Sequence, residues 1–429
     1  MTKTRAESAT LLIFAVYAAF LGTFEGPAEI ACIVLLVLAL MTGGLTRPRV
    51  GHALILLWFL TGYVGTLSST VHVSSENKLR PLLALAFLIG VDVLPRLSED
   101  GLRVVAKAFV AALVVSGLYG ILQVFFAPFP WDSFLAAQPD SPQTMVPGYT
   151  WIGRRAASGL FYNRLKLAHV GVVGMFVLAF VLWSGRKQGH RPVAGVVSPV
   201  VLVSTIGGVI LAVAIALTYA RAALVAFGLG LSVVVLVMAR RRLLYYASAS
   251  VVLILAVLLV APGGLERVQG LSEALAVRAR ILARAWTIFS KHPIFGVGHG
   301  LYSHAASALP STGNVTHLVD PHNLVAQVLT ETGLVGAFGF LGVLALAFWS
   351  LFRRVYSARD ESSARGVLDR VALANLVAVV VLGLVHFPLH HAPTALLFWM
   401  AVGVGCSGRM DGRMDGRMDE RMHGRPGCG

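Results

Sequence analysis

Residues 278–336 read RARILARAWTIFSKHPIFGVGHGLYSHAASALPSTGNVTHLVDPHNLVAQVLTETGLVG, and this stretch decides the fold. It carries arginines, several histidines, a Gly-rich turn and a helix start marked Asp320-Pro321-His322-Asn323. Nearly everything around it is apolar enough to dissolve in a bilayer. Of the 429 residues, 57% are hydrophobic and 13% charged, about half the charged share of an ordinary soluble domain. The contrast predicts an integral membrane protein whose polar chemistry is gathered in one loop.

A spanning helix needs about 20 mostly apolar residues. Twelve candidate spans fit, near residues 8–24, 28–44, 51–68, 81–95, 104–126, 165–184, 195–217, 222–239, 243–261, 323–351, 367–386 and 392–407. The first apolar run lacks a small-residue cleavage site and further spans follow it, so no cleavable signal peptide is expected. A cytoplasmic N-terminus puts Lys3 and Arg5, Arg47 and Arg49, Arg96 and Arg103, Arg186 and Lys187, the triplet Arg240, Arg241 and Arg242, and Arg353 and Arg354 inside. Every short inside connection is then basic, as orientation by positive charge requires. The expectation is an all-α protein of about 12 transmembrane helices, with both termini cytoplasmic.

The same topology accounts for the net charge of +15. The basic residues are scattered between apolar runs rather than gathered on one face, so no nucleic-acid partner is expected. Residues 1–407 are expected to form the polytopic membrane domain, and 408–429, a near four-residue repeat of alternating charge, a disordered cytoplasmic tail. Cys32, Cys406 and Cys428 stand in separate contexts with neither a disulfide framework nor zinc spacing.

Two outside loops, 127–164 and 262–322, are long, and loops of that length are usually functional or disordered. Their Trp, Phe and Tyr content predicts folded caps. Asp is a favoured N-cap and Pro a favoured first helical residue, so His322 is expected in the first turn of a helix entering the membrane from outside. Unpaired backbone N–H groups and the positive dipole end disfavour imidazolium there. A neutral His322 is suited to act as a base near pH 7, and the same N–H groups attract phosphate. The blander reading is a histidine that only hydrogen-bonds at the interface.

Arg278, Arg280 and Arg284 lie on an amphipathic segment, 277–290, expected at the outer interface. A guanidinium offers a fixed fork of donors for phosphate, although snorkelling to lipid headgroups would also place it there. Arg221 follows Thr218-Tyr219-Ala220 between two apolar runs. A charge at that depth needs water, a partner or a ligand, or else serves as an outer-end anchor. His386, His390 and His391 could together approach a metal, but no carboxylate or thiol joins them, and no metal or other cofactor is expected.

These residues resemble the O-antigen ligase and O-antigen polymerase superfamily in four places. Ser158-Gly159-Leu160-Phe161-Tyr162-Asn163 is similar to the family's Ser-Gly-x-Phe-x-Asn element, and Thr218-Tyr219-Ala220-Arg221 to its Thr-x-Ser-Arg-Gly element, with alanines around the arginine where the family often has Ser and Gly. Arg278 followed by His292-Pro293-Ile294-Phe295-Gly296-Val297-Gly298 resembles an arginine helix leading to His-Pro-x-x-Gly-x-Gly. His322-Asn323 with Glu331, Gly333 and Gly336 resembles His-Asn…Glu-x-Gly-x-x-Gly. The last two cover 278–336, and the likeness in span pattern runs over about 155–405.

The resemblance implies a glycosyltransferase fold of the C type in the bacterial inner membrane, with its active site on the periplasmic face. The donor would be a polyprenyl-diphosphate-linked glycan, and the acceptor a lipid A–core or another glycan. Arg221 and Arg278 or Arg280 would hold the diphosphate, Asn323 would assist in binding, and His322 would take the proton of the acceptor hydroxyl. Guanidinium groups and a helix N-terminus can neutralise such a leaving group, and the outside loops contain no Asp-x-Asp pair. The implied step is an inverting displacement without a metal, most simply ligase-type transfer. A polymerase is the alternative within the family. A lipid-linked sugar transporter would instead put charges in the spans and show repeated halves, and a scaffold would leave His322 dispensable.

Overall fold

The computed structural model describes residues 3–41, 49–69, 80–126, 150–151, 154–161, 163–187, 199–238, 271–310, 321–357 and 363–407. The candidate span 243–261, the tail 408–429, Asp320 and most of the first outside loop lie outside the described residues. Among the described residues twelve α-helices of four residues or more stand in the order α1 (Lys3–Leu21), α2 (Glu25–Met41), α3 (Val50–Ser68), α4 (Glu99–Phe126), α5 (Arg164–Lys187), α6 (Pro199–Leu217), α7 (Arg221–Met238), α8 (Leu271–Lys291), α9 (Tyr302–Ser307), α10 (Leu324–Ser357), α11 (Ala364–Gly383) and α12 (Ala392–Cys406). Two of them, α8 and α9, belong to the polar stretch rather than to the candidate spans.

Five of the described helices carry a stretch long and apolar enough to cross a membrane: Val50–Ser68, Glu99–Phe126, Arg164–Leu182, Leu324–Ser357 and Ala364–Gly383. Helices α1, α6, α7 and α12 contain shorter apolar stretches. The protein is a multi-pass helical membrane protein. One finding corrects the expected pattern. The candidate span 81–95 is not a regular helix: it passes from 3₁₀ (Arg80–Leu85) through one α turn and a π turn (Ile89–Val93) to 3₁₀ again (Leu94–Arg96), with Asp92 buried in the π turn. Such irregular backbone is tolerated at membrane depth only where protein covers it, and here α12 packs against it. A two-residue β ladder, Thr150–Trp151 against Arg154–Arg155, lies in the loop between α4 and α5 of this helical architecture.

The most extensive helix pairing is α10 on α3, followed by α7 on α11. A continuous core of Phe14, Tyr17, Phe87, Leu113, Phe340 and Phe398 runs through the bundle. At one end Arg354 donates to the carbonyls of Val404, Gly405 and Ser407 and pairs with Asp369, satisfying the last carbonyls of α12.

Helix α10 is interrupted at Gly333, whose φ of 61° and ψ of −165° are not helical. The interruption frees backbone groups on both sides, and the loop after α8 takes them. Val297 N donates to Thr330 O (2.9 Å), Gly298 N to Glu331 O (2.8 Å), Leu334 N to Pro293 O (2.8 Å) and Val335 N to Ile294 O (3.1 Å). Two segments rich in glycine therefore clasp each other by main chain alone. A Cβ on Gly333 would collide with the backbone of Ile294, and one on Gly296 (φ 69°) with that of Glu331. The part of α10 beyond Gly333 is 24 residues, roughly 36 Å, enough to cross the hydrocarbon unaided. The first turns, from Leu324 to the interruption, are therefore not needed to span it.

Gly333→Ala and Gly296→Ala should each lower stability by about 2 kcal/mol or more, combining left-handed strain with backbone collision. Thermal unfolding of the purified chain in detergent measures this; a midpoint unchanged within 1–2 °C would mean that the clasp tolerates a side chain.

Candidate functional site

The first layer of the site is built by caps. Asn163 starts α5: its Oδ1 accepts from Leu165 N (2.8 Å), and its carbonyl accepts from Lys166 N and Leu167 N. The preceding Ser158-Gly159 turn is fixed by Gln123 of α4, whose amide oxygen accepts from both backbone N–H groups while its NH2 donates to Gly159 O. The Ser-Gly…Asn element is thus a strap that sets where α5 begins. Helix α5 then presents Arg164, Lys166 and His169 in its first two turns.

Arg164 Nη1 donates to Thr218 O (2.7 Å). Thr218 Oγ1 in turn accepts from Ala220 N (3.1 Å), and Tyr219 between them has φ 54°. This tight corner ends α6 and makes Arg221 the first residue of α7, half-buried.

The expected cap at the start of α10 is displaced. Helix α10 begins at Leu324, and Asn323 is the N-cap: its Oδ1 accepts from Ala326 N (2.9 Å), its carbonyl accepts from Gln327 N, and its Nδ2 donates to Leu384 O (3.1 Å). His322 therefore precedes the cap, with φ 45°, rather than lying in the first turn. The competition was between Asp320 and Asn323 for one capping position, and Asn323 prevails because its amide can cap α10 and tie it to α11 at once. Both functions of the Asn323 side chain are structural.

His322 packs its ring against Phe387, with centroids 5.0 Å apart. Burial, and then the charge of Arg278, lower its pKa below the ordinary 6.5. His386 is pushed down to about 4 by burial, by His322, and by the charges of Arg278 and Arg164. Three separate elements, α5, α8 and the entry to α10, thus bring Arg164, Arg278 and His322 into one electrostatic neighbourhood. Arg221 opens α7 three residues beyond the Thr218 carbonyl that Arg164 holds. Arg278 and Arg280 are both exposed, and it is Arg278 whose charge reaches His322. Arg284 turns inward instead and donates to Ala306 O (2.5 Å), fastening α8 to α9.

The HFPLHH run folds back beside this centre. His390 accepts from Arg80 at Nδ1 (3.1 Å) and meets the Gln327 amide at Nε2; burial and Arg80 push its pKa to about 3. His169 is fully buried, with His386 and His391 rings at 5.7 and 5.5 Å. Among the described residues no group of three or more His, Cys, Asp or Glu is arranged to hold a metal ion. Arg164, Arg80 and Gln327 were not legible as site residues; the one available signal was Asn163 as a cap, which fixes the face on which Arg164 emerges.

His386 and His390 stay neutral in the fold while the unfolded chain protonates them near 6.5. The unfolded state then binds more protons, so stability is fully present above about pH 6.5 and falls as pH drops toward 4. Detergent-solubilised protein should lose several degrees of melting temperature between pH 7 and 5, and His386→Asn should flatten that loss; equal slopes would refute the assignment.

Residues 206–341 match the model of a family described as O-antigen ligase. Over 309 residues the chain is 27% identical to the O-antigen ligase of Pseudomonas aeruginosa, covering 71% of this chain and 66% of that protein. Over 125 residues it is 28% identical to the teichuronic acid biosynthesis protein TuaE of Bacillus subtilis, covering 29% of this chain and 25% of that one. The chain thus spans just under two thirds of the first relative and a quarter of the second. The family segment contains Arg221, Arg278, the clasp and His322.

Proposed function

We propose, from its similarity to O-antigen ligases, that the chain is a membrane glycosyltransferase carrying a glycan from a polyprenyl-diphosphate to an acceptor hydroxyl. Ligase-type transfer to lipid A–core is the primary reading. The observation that carries it is His322, held neutral beside the Arg278 guanidinium at the start of α10.

In this reading the diphosphate lies between Arg278 and Arg221, with Arg280 at its exposed side. These cations offset the charge that develops as the anomeric C–O bond to phosphate breaks. His322, as neutral imidazole, accepts the proton of the attacking hydroxyl while the new glycosidic bond forms on the opposite face, inverting the anomeric centre. Asn323 contributes by fixing the backbone on which His322 is displayed. The active site faces the periplasm, both termini face the cytoplasm, residues 1–407 form the membrane domain, and 408–429 form a cytoplasmic tail. The match to a teichuronic acid biosynthesis protein favours, as a second reading, a polymerase that joins one lipid-linked glycan to another.

His322→Ala, Arg278→Ala and Arg221→Ala should each reduce surface polysaccharide about 100-fold or more in cells where the variants insert normally. Wild-type levels in all three would exclude the transferase reading. Full-length lipid-linked polymer accumulating in the His322→Ala strain favours the ligase, and single repeat units favour the polymerase.

The pH profile tests the pairing of His322 with Arg278. A base works as its neutral form, and a lowered pKa keeps His322 neutral below 6.5; transfer should therefore hold steady from pH 8 to 6.5 and fall only below. Removing the cation lets that pKa rise, so the residual activity of Arg278→Gln should fail at a higher pH. An acid limb that stays fixed would separate the two residues.

A further inference from the structure

A cavity of about 310 Å³ opens beside this centre, between α3, α10, α12 and the 80–81 and 299–303 segments. Leu324, Gln327, Val328 and Glu331 supply its α10 wall, at helical spacing along one stripe that starts two residues after His322. His390 lines it and also feels the charge of His322. The cavity thus lies near the candidate centre, and no residue assigned to diphosphate or proton transfer lines it.

Its chemistry differs from that of the arginine-flanked centre. Arg80 and Glu331 contribute one charge of each sign, so the lining carries no strong net charge toward an anion. Trp58 and Trp399, with ring centroids 5.2 Å apart, give it an aromatic wall. His390 accepts from Arg80 at Nδ1, so in the neutral ring the proton sits on Nε2, and the Gln327 amide meets it as an acceptor when its oxygen is turned toward the ring. Glu331 Oε2 stands 3.8 Å from His299 Nδ1. Two further polar atoms of lining residues, Trp58 Nε1 and His299 Nε2, are buried without a hydrogen-bond partner among the described residues. Their side chains are 7% and 3% exposed. Neither atom is accessible to water, so both lie behind the cavity wall and do not face an occupant.

Aromatic faces with carboxylate, amide, imidazole and guanidinium edges are the complement of a hydroxyl-rich ring. The ring's C–H face rests on an indole, and its hydroxyls both donate and accept. We infer that this cavity is a sugar-ring site, holding one neutral polyhydroxylated ring of the glycan or of its acceptor while His322 acts beside it. The inference rests on the transferase reading above. A volume of 310 Å³ lies at the lower end of the roughly 300–1,000 Å³ of small-ligand sites.

The test titrates the full-length chain in nanodiscs with glucose, galactose and N-acetylglucosamine, following tryptophan fluorescence, and separately measures transfer with purified lipid-linked donor and acceptor. Expected results are saturable quenching by at least one sugar, its loss in Trp58→Phe, and about tenfold weaker binding in Glu331→Gln and in Arg80→Gln, one strong hydrogen bond each. His322→Ala should keep the quenching while losing transfer. Glu331→Gln and Arg80→Gln should raise KM about tenfold with little change in kcat, for the acceptor if the ring is the acceptor's and for the donor if it is the donor's. Wild-type protein that is not quenched, or variants that raise neither KM, would overturn the sugar site and leave the transferase reading standing. Transfer undiminished in His322→Ala would overturn the transferase reading whatever the fluorescence shows. Size-exclusion profiles matching wild type qualify each variant; Arg80, half-buried, serves if Glu331→Gln fails to fold.

Discussion

The main-chain clasp between 293–298 and 330–335 is the constraint on which the site depends. Helix α8 leads directly into the first of these segments, and α10, preceded by His322, contains the second. Four backbone hydrogen bonds hold them in register. Each such bond is worth only about 1 kcal/mol net, but left unmade at the edge of a bilayer its groups would cost more. The register of the clasp therefore decides which arginine of α8 faces His322.

The remaining walls follow the same economy. Gln123 fixes the Ser158-Gly159 strap, the strap sets Asn163, and Asn163 starts the helix that presents Arg164. Arg164 then holds the Thr218 corner from which Arg221 emerges. Short polar caps thus position long cationic side chains, and the apolar bundle beneath supplies rigidity. The family segment 206–341 captures the clasp and three of the cationic and basic positions, whereas the strap and the histidine run lie outside it.

The histidines behave as a gradient rather than a metal cage. His322, at the opening, is only moderately desolvated, while His386 and His390 are pushed to about 4 and about 3. Burial and Arg278 lower the His322 pKa as well, so all three imidazoles favour the neutral form at pH 7. Those behind His322 remain neutral hydrogen-bonding groups, and His390 lends its two nitrogens to Arg80 and Gln327 at the cavity wall.

The amino-acid sequence by itself determined the membrane class, the existence of most of the helices and the polar stretch 278–336. Composition and 20-residue apolar runs are local properties, and they survive any packing. The sequence misjudged 81–95, where apolarity sufficed for a helix but packing against α12 imposed a broken path. It also chose Asp320 over Asn323 as the cap, because two good capping residues three positions apart are equivalent until a neighbouring helix offers a second bond, here Leu384 O. Only the tertiary structure separated Arg278 from Arg280 and Arg284, placed Arg164 in the site and revealed the cavity beside it. Those outcomes depend on which face of one helix meets another, and in this chain that is fixed by backbone approach at Gly296 and Gly333 rather than by any local propensity.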